Sequence, residues 1–139
     1  MKKILVLLSV LLLCSCSSKN LSFINPINNG KVVSEFDENK GVYSISIRPE
    51  SLIEDTKVIS SEEGKVISID TRADKNNVII IEHTNGYKTM YSGVTDVTVS
   101  INKTVEKGEQ LGYLNNLSRL DFVIIKDNER LKNSSEYIT

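Results

Sequence analysis

Short runs of β-branched and aromatic residues recur about every ten to fifteen residues along most of this chain. Segment 42–48 alternates between apolar and polar side chains, which is the period of a strand with one buried face. Residues 78–81 form a continuous apolar run of strand length, which predicts burial on both faces. Asn85-Gly86 follows, and this dipeptide between two β-rich runs is a strong hairpin signal. These features favour a fold built of strands.

The rest of the chain continues this pattern. No stretch has helical periodicity, although residues 51–56 have room for one short turn. A length of 139 residues is enough for one ordinary domain. We predict an all-β fold, an antiparallel β-sandwich or barrel, with no internal repeat and no second domain. Further strand-like runs, separated by turn residues, lie at 65–70, 97–101, 111–114 and 122–125.

The N-terminal segment has a different composition from the rest. Lys2 and Lys3 open the chain, and within residues 4–13 only Ser9 is polar. As a helix this run covers roughly 15 Å, which is half of the roughly 30 Å hydrocarbon core of a bilayer. The run is therefore too short to span a membrane. We predict that residues 1–15 are a secretory signal peptide.

The apolar run ends in Leu13-Cys14-Ser15-Cys16, which resembles the processing site of bacterial lipoproteins. In that site a small residue precedes the lipidated cysteine, as Ser15 precedes Cys16 here. Cys14 follows the larger Leu13 and fits less well. We predict that Cys16 carries acyl chains such as palmitate, and two or more chains give stable anchoring. The expected location is an extracytoplasmic membrane face of the bacterial cell envelope, the outer membrane where there are two.

Removal of the signal peptide changes the charge and the reach of the chain. Loss of Lys2 and Lys3 leaves 15 basic and 18 acidic residues, a net charge of −3 instead of −1. This balance argues against nucleic acid as a partner. Residues 16–22 are predicted to be the lipidated cysteine and a short tether. The four residues 17–20 separate Cys16 from the first apolar residue of the domain, and when extended they reach at most about 14 Å. The domain at 23–139 is therefore expected close to the membrane.

The inventory of chemically useful side chains is small. After processing, the chain has one histidine, His83, and no free thiol. A catalytic zinc site needs about three protein ligands, and a Ser-His-acid triad needs a histidine and a nucleophile, so each would depend on His83. No phosphate-binding glycine loop is present, and no pair of carboxylates stands out for glycoside hydrolysis. We predict that His83 is a hydrogen-bonded surface or turn residue, and no cofactor is predicted.

Six short patterns resemble, in order, those of the M23 (LytM or lysostaphin-type) peptidase family. Each is weak alone, but together they cover nearly all of 23–139. The resemblance implies the family's antiparallel barrel-sandwich hybrid fold. The patterns are Phe23-Ile24-Asn25-Pro26 with Gly30 to Phe36, Gly64-Lys65-Val66, Val78 to Tyr91, Val105 to Gly112, Asp121-Phe122-Val123-Ile124 in place of H-F-E-I, and Tyr137-Ile138.

The family's catalytic residues are missing from this sequence. Its members are zinc endopeptidases of bacterial cell walls, with metal ligands in an H-x-x-x-D pattern and at the second histidine of an H-x-H pattern, and a further histidine after Y-x assists the transition state. His83 matches a family histidine that is not a ligand. The resemblance thus implies a pseudo-peptidase with no metal. The family's site positions fall on Val42, Ser46, Gly93, Arg119 and Asp121.

The resemblance also indicates how such a domain acts. Degenerate relatives activate cell-wall amidases or serve as scaffolds, so a wall hydrolase or peptidoglycan is the expected partner. Two alternatives remain open: an active zinc peptidoglycan endopeptidase with unusual ligands, and a structural lipoprotein that docks an envelope complex. The loop 113–118 is shorter than in the family and lacks glycine, which reshapes the groove. The candidate binding cleft consists of Val42, Ser44, Ser46, Tyr91, Gly93, Arg119 and Asp121.

Overall fold

The computed structural model describes residues 21–51, 55–74, 76–114 and 119–139. Within these ranges the chain forms ten strands and two single-turn 3-10 helices, Glu38–Lys40 and Ser134–Glu136. The prediction of an all-β fold is confirmed. The strands are β1 (Lys31–Ser34), β2 (Ile45–Arg48), β3 (Lys57–Ile59), β4 (Gly64–Thr71), β5 (Asn77–Glu82), β6 (Tyr87–Thr95), β7 (Thr104–Val105), β8 (Gln110–Leu114), β9 (Leu120–Lys126) and β10 (Glu129–Arg130).

The described strands pair into one antiparallel sheet with the order β1-β2-β9-β6-β5-β4-β7. Three strands lie off this path, since β10 pairs with β9, and β8 pairs with both β3 and β6. The branch occurs within β6, which pairs with β9 as far as Ser92 and with β8 from Val94. Gly93 lies between these two residues with φ 104°, a conformation that favours glycine. This glycine therefore lies at the point where β6 changes partners.

The core lies on one face of the central strands. Successive side chains of a strand point to opposite faces, so residues two apart are buried together. The fully buried residues include such pairs on β2, β5 and β9, namely Ile45 with Ile47, Ile79 with Ile81 and Phe122 with Ile124. Tyr91 of β6 packs against Phe122 with a ring-centroid distance of 5.3 Å. No helix within the described ranges has the length and apolarity needed to cross a membrane.

Two predicted strands differ from the structure. Segment 42–48 is a strand only from Ile45, because Val42 forms a single bridge with Asp37 instead. Segment 97–101 is not a strand, since its neighbours Asp96 and Asn102 adopt φ 47° and φ 74° and turn the chain at both ends. Its valines still pack against the core, which explains their alternation. The short turn expected at 51–56 lies partly outside the described residues.

The hairpin predicted at Asn85-Gly86 is confirmed. The dipeptide lies between β5 and β6, with φ 57° at Asn85 and φ 77° at Gly86. Two successive positive φ angles are characteristic of the type I′ turn, whose twist matches the flanking strands. The turn also contacts a second one, because Asp127 N–H donates to the Gly86 carbonyl at 3.0 Å.

Gly86→Ala is expected to destabilise the protein more than Gly41→Ala. Both glycines have positive φ, 77° and 70°, so both alanines are strained by about 1–2 kcal/mol. A Cβ at Gly86 would also overlap the Asp127 carboxylate, whereas a Cβ at Gly41 meets nothing within 4 Å. The exposed Asp127 side chain must turn aside, so we expect a further loss of roughly 0.5 kcal/mol at Gly86, measured by urea unfolding. Equal losses would show that the Asp127 contact does not matter.

Candidate functional site

Three of the residues singled out from the sequence form one bonded group. Ser46 of β2 and Asp121 of β9 are register partners. The buried Ser46 hydroxyl donates a 2.7 Å hydrogen bond to Asp121 Oδ1. Arg119 Nε lies 3.7 Å from the same oxygen. One oxygen of this carboxylate is therefore already engaged by a hydroxyl and a guanidinium.

Gly93 lies beside this group and leaves space above the sheet. Ser92, its neighbour on β6, pairs with Asp121 in register. Ser92, Gly93, Arg119 and Asp121 line a pocket of roughly 170 Å³. Position 93 contributes only backbone to this pocket. The far wall consists of Arg72, Asp74 and Asn76.

The far wall was not predicted from the sequence. Arg72 and Asp74 lie in the turn after β4, more than forty residues before Arg119 along the chain. Each is an ordinary polar residue of a turn, and no local pattern marks it. The hydrogen bond from the Asn76 side chain, with smaller effects that include the charge of Arg72, holds the pKa of Asp74 below its usual value. The sheet order alone brings this turn to the pocket.

The other members of the predicted cleft do not line this pocket. Val42 and Ser44 precede β2 and do not line the pocket. Tyr91 is fully buried, so it is not part of an open cleft, contrary to the prediction. Its side chain points into the core from β6, and its hydroxyl accepts a 2.9 Å hydrogen bond from Ser61 N–H. Tyr91 therefore lies on the core face of β6 and not on an open face.

The site residues do not fit a zinc ion. Zinc in proteins is bound by cysteine, histidine and carboxylate side chains, and these positions offer a serine hydroxyl, a guanidinium and one carboxylate. The guanidinium of Arg119 lies beside that carboxylate and repels a second cation. Nowhere in the described residues are three or more His, Cys, Asp or Glu side chains grouped to hold a metal.

A second polar group surrounds His83, on the core side of the sheet. His83 Nδ1 lies 2.6 Å from the Glu63 carbonyl oxygen, and Nε2 lies 2.8 Å from Thr89 Oγ1. A carbonyl oxygen only accepts, so Nδ1 carries the proton and Nε2 accepts from Thr89 in the neutral ring. The Thr89 hydroxyl in turn lies 2.8 Å from that of Tyr91. These contacts form a buried chain from Ser61 to Glu63.

His83 is hydrogen-bonded, as predicted, but it is not at the surface. Only 7% of the residue is exposed, and the ring edge of Phe23 packs against it at a centroid distance of 5.7 Å. Burial lowers the pKa of His83, opposed by the Glu63 carbonyl and the charge of Glu62. Burial raises the pKa of Tyr91. Both groups therefore stay neutral and act as structural links between β6 and the turn before β4.

Several solved structures share this fold at low sequence identity. A chain from a structure described as the SpoIIQ–SpoIIIAH pore-forming complex is 19% identical with a TM-score of 0.69, over 84% of this chain and 90% of that one. Csd3 of Helicobacter pylori is 17% identical with a TM-score of 0.70, over 86% and 34% of the two chains. A zinc-containing peptidase from Vibrio cholerae is 20% identical with a TM-score of 0.64, over 80% and 39%. This chain thus spans about a third of Csd3.

A comparison with curated proteins gives no match. The model of peptidase family M23 matches residues 45–132, which is more than half of the chain and includes the site on β6 and β9. Together with the shared fold, this match confirms the resemblance found in the sequence. The chain therefore belongs to peptidase family M23.

Proposed function

We propose that this chain is a membrane-anchored, catalytically inactive M23-type lipoprotein that binds or regulates cell-envelope partners in peptidoglycan remodelling. The observation that carries the proposal is the bonded group of Ser46, Asp121 and Arg119. Ser46 and Asp121 occupy positions at which the family resemblance puts metal ligands, and Arg119 occupies the first position of the H-x-H pattern. The Ser46 hydroxyl donates to the Asp121 carboxylate and the Arg119 guanidinium pairs with it, and these positions offer no set of ligands for a metal that would activate water.

The emptied site still offers a surface for binding. The pocket between Arg72 and Arg119 is open, and its polar side chains come from three separate parts of the sheet. A chain of similar fold is found in the structure of a two-protein complex. This supports a protein partner, and we propose a wall hydrolase such as an amidase, or peptidoglycan itself.

The proposal includes a lipid anchor at Cys16, which lies outside the described residues. Support comes from the start of the described domain, where Ser22 N–H donates to Glu62 and Phe23 is buried. The described part of the domain thus begins only a few residues after Cys16 in the sequence. A domain held so closely at an extracytoplasmic membrane face meets partners near the membrane.

Cys16→Ser is expected to move the protein from the membrane fraction to the soluble fraction. Acyl chains on Cys16 supply the membrane affinity, and serine cannot form the thioether. Cys14→Ser is the matched control and is expected to stay with the membrane. Fractionation of cells followed by immunoblotting measures both. A Cys16→Ser protein that remains in the membrane fraction would contradict the anchor.

In-cell crosslinking tests the proposed partner. A photo-crosslinking residue at Arg72 or Arg119 is expected to capture a wall hydrolase or peptidoglycan. The same residue at the exposed Glu129 of β10 is the control and is expected not to do so. Capture of a division or secretion protein would favour the docking alternative instead. Stoichiometric zinc in the purified chain, with release of soluble peptides from cell wall, would overturn the inactive assignment.

A further inference from the structure

We propose that the pocket between Arg72 and Arg119 binds a carboxylate carried on a peptide. This inference rests on the proposed function, which takes this pocket as a binding surface, and it adds the chemical group that the pocket binds. Its basis is the arrangement of charged groups in the pocket and the hydrogen-bonding capacity that they leave unused.

The two arginines approach the pocket from opposite sides. Arg72 directly follows β4 and Arg119 directly precedes β9. These strands are separated by β5 and β6, so they lie three strand spacings apart, roughly 14 Å. Long side chains from both ends of this span line the same pocket. Gly93 lines the pocket with them and adds no side chain to it.

Most of the donor capacity of these arginines is uncommitted. A guanidinium has five N–H donors. Within the described residues Arg119 contacts Asp121 through Nε alone, and the Arg72 guanidinium has no hydrogen-bond partner. The pocket carboxylates are already supplied with donors, Asp121 by Ser46 and Asp74 by the Asn76 N–H. The guanidinium donors of the two arginines therefore exceed what these contacts use, and a ligand with two acceptor oxygens can pair with them.

Charge and size narrow the ligand class. Two arginines and two aspartates give the pocket no net formal charge, which disfavours a multiply charged anion such as phosphate. A carboxylate has one charge and two acceptor oxygens that match the guanidinium fork. The volume of roughly 170 Å³ is below the usual range for a whole small-molecule ligand. The pocket thus suits one terminal group while the rest of the peptide lies outside.

Titration of the full chain, purified in detergent, tests this inference. The probes are acetyl-Ala-Ala with a free C-terminal carboxylate, the same peptide as its C-terminal amide, an amidated peptide with an internal glutamate, and inorganic phosphate. Shifts of the arginine Nε–H signals in NMR spectra report binding. We expect the free acid to bind at least about tenfold more tightly than the amide, since a charge-assisted pair is lost. Added salt is expected to weaken binding.

Variants identify the residues responsible. Arg72→Gln and Arg119→Gln are each expected to weaken binding of the free acid about tenfold or more. Arg130→Gln on β10 is the matched control and is expected to have no effect. The acid–amide comparison uses the natural chain, so it stands even where a variant fails to fold. Whichever carboxylate binds more tightly, chain end or glutamate side chain, identifies the source.

Several results would overturn the inference. They are equal binding of acid and amide, equal or tighter binding of phosphate, no binding of any carboxylate, or binding that survives both arginine substitutions in folded protein. None of these results removes the proposed function, because a partner captured in cells at Arg119 would still contact the cleft without a carboxylate. Absence of such a partner, with carboxylate binding intact, would overturn the proposed function alone.

Discussion

The triple variant Val42→His, Ser46→Asp, Asp121→His is expected to bind one zinc ion per chain, whereas the natural chain is expected to bind none. These substitutions place two histidines and a carboxylate at the three positions where the family resemblance puts metal ligands. Ser46 and Asp121 face each other across β2 and β9 with side-chain atoms 2.7 Å apart. Side chains from these two positions can therefore reach one metal ion, and three ligands with one open position suit zinc.

The expected gain in zinc affinity follows from the side chains that the triple variant replaces. Ser46 and Asp121 give zinc one carboxylate, which is paired with Arg119, and no nitrogen ligand. Adding Arg119→Gln to the triple variant is expected to strengthen zinc binding further, because it removes a cation beside the metal. Equilibrium dialysis with elemental analysis measures zinc per chain, and thermal melting with and without zinc checks that binding stabilises the fold.

A matched control separates the designed site from adventitious binding. Val33→His with Ser46→Asp and Asp121→His carries the same added groups, but its first histidine lies on the edge strand β1. It is expected to bind zinc at least about tenfold more weakly than the triple variant. Equal affinity of the two variants would show that Val42 does not face the site. Zinc bound by the natural chain would contradict the proposed loss of the metal.

The pattern of apolar, polar and turn residues predicted those parts of the fold in which the conformation favoured by the local sequence is also the one found in the folded chain. The Asn85-Gly86 turn was predictable because few residues adopt positive φ at two successive positions. Segment 97–101 was mispredicted, since its alternating valines pack on the core without forming a strand ladder. Alternation reports which side chains are buried, and it does not report where the backbone hydrogen bonds go.

Only part of the candidate site was predictable, because local sequence does not report the order of strands in the sheet. Ser46 and Asp121 could be placed together through family motifs, although they are 75 residues apart. Arg72 could not, because its place in the pocket depends on the order of β4, β5, β6 and β9 in the sheet. Tyr91 was assigned to the cleft because motif position gives proximity along a strand but not the face on which a side chain lies.

The stability of the natural protein is expected to fall as pH decreases below about 6.5, and His83 is the group responsible. Burial lowers the pKa of His83 in the folded state, whereas in the unfolded chain it keeps its ordinary value of about 6.5. Above that pH both states are neutral at His83, and stability is at its full value. Below it the unfolded state binds a proton that the folded state resists, so the free energy of unfolding decreases until the lowered pKa is passed.

The expected slope and its control make this prediction specific. One proton taken up on unfolding changes the free energy of unfolding by at most about 1.4 kcal/mol per pH unit. His83→Gln replaces the imidazole with a side-chain amide, which can donate and accept hydrogen bonds but does not titrate. It is expected to lose about 1–3 kcal/mol at neutral pH, because one of the two buried partners, Glu63 or Thr89, is left poorly bonded. Its stability is then expected to stay level through the same pH range.

Urea unfolding of both proteins between about pH 7.5 and pH 5 measures the difference in slope. Glu62 contributes only at lower pH. Burial works to raise its pKa, but hydrogen bonds from Glu63, Lys107 and Ser22 leave it below 4.5, so its contribution is lost only as pH falls below that value. Glu62 is also present in both proteins and cancels in the comparison. Parallel slopes would mean that His83 protonates in the folded protein as readily as in water. The ring would then be open to solvent, and the buried chain from Ser61 to Glu63 would not hold β6 against the turn.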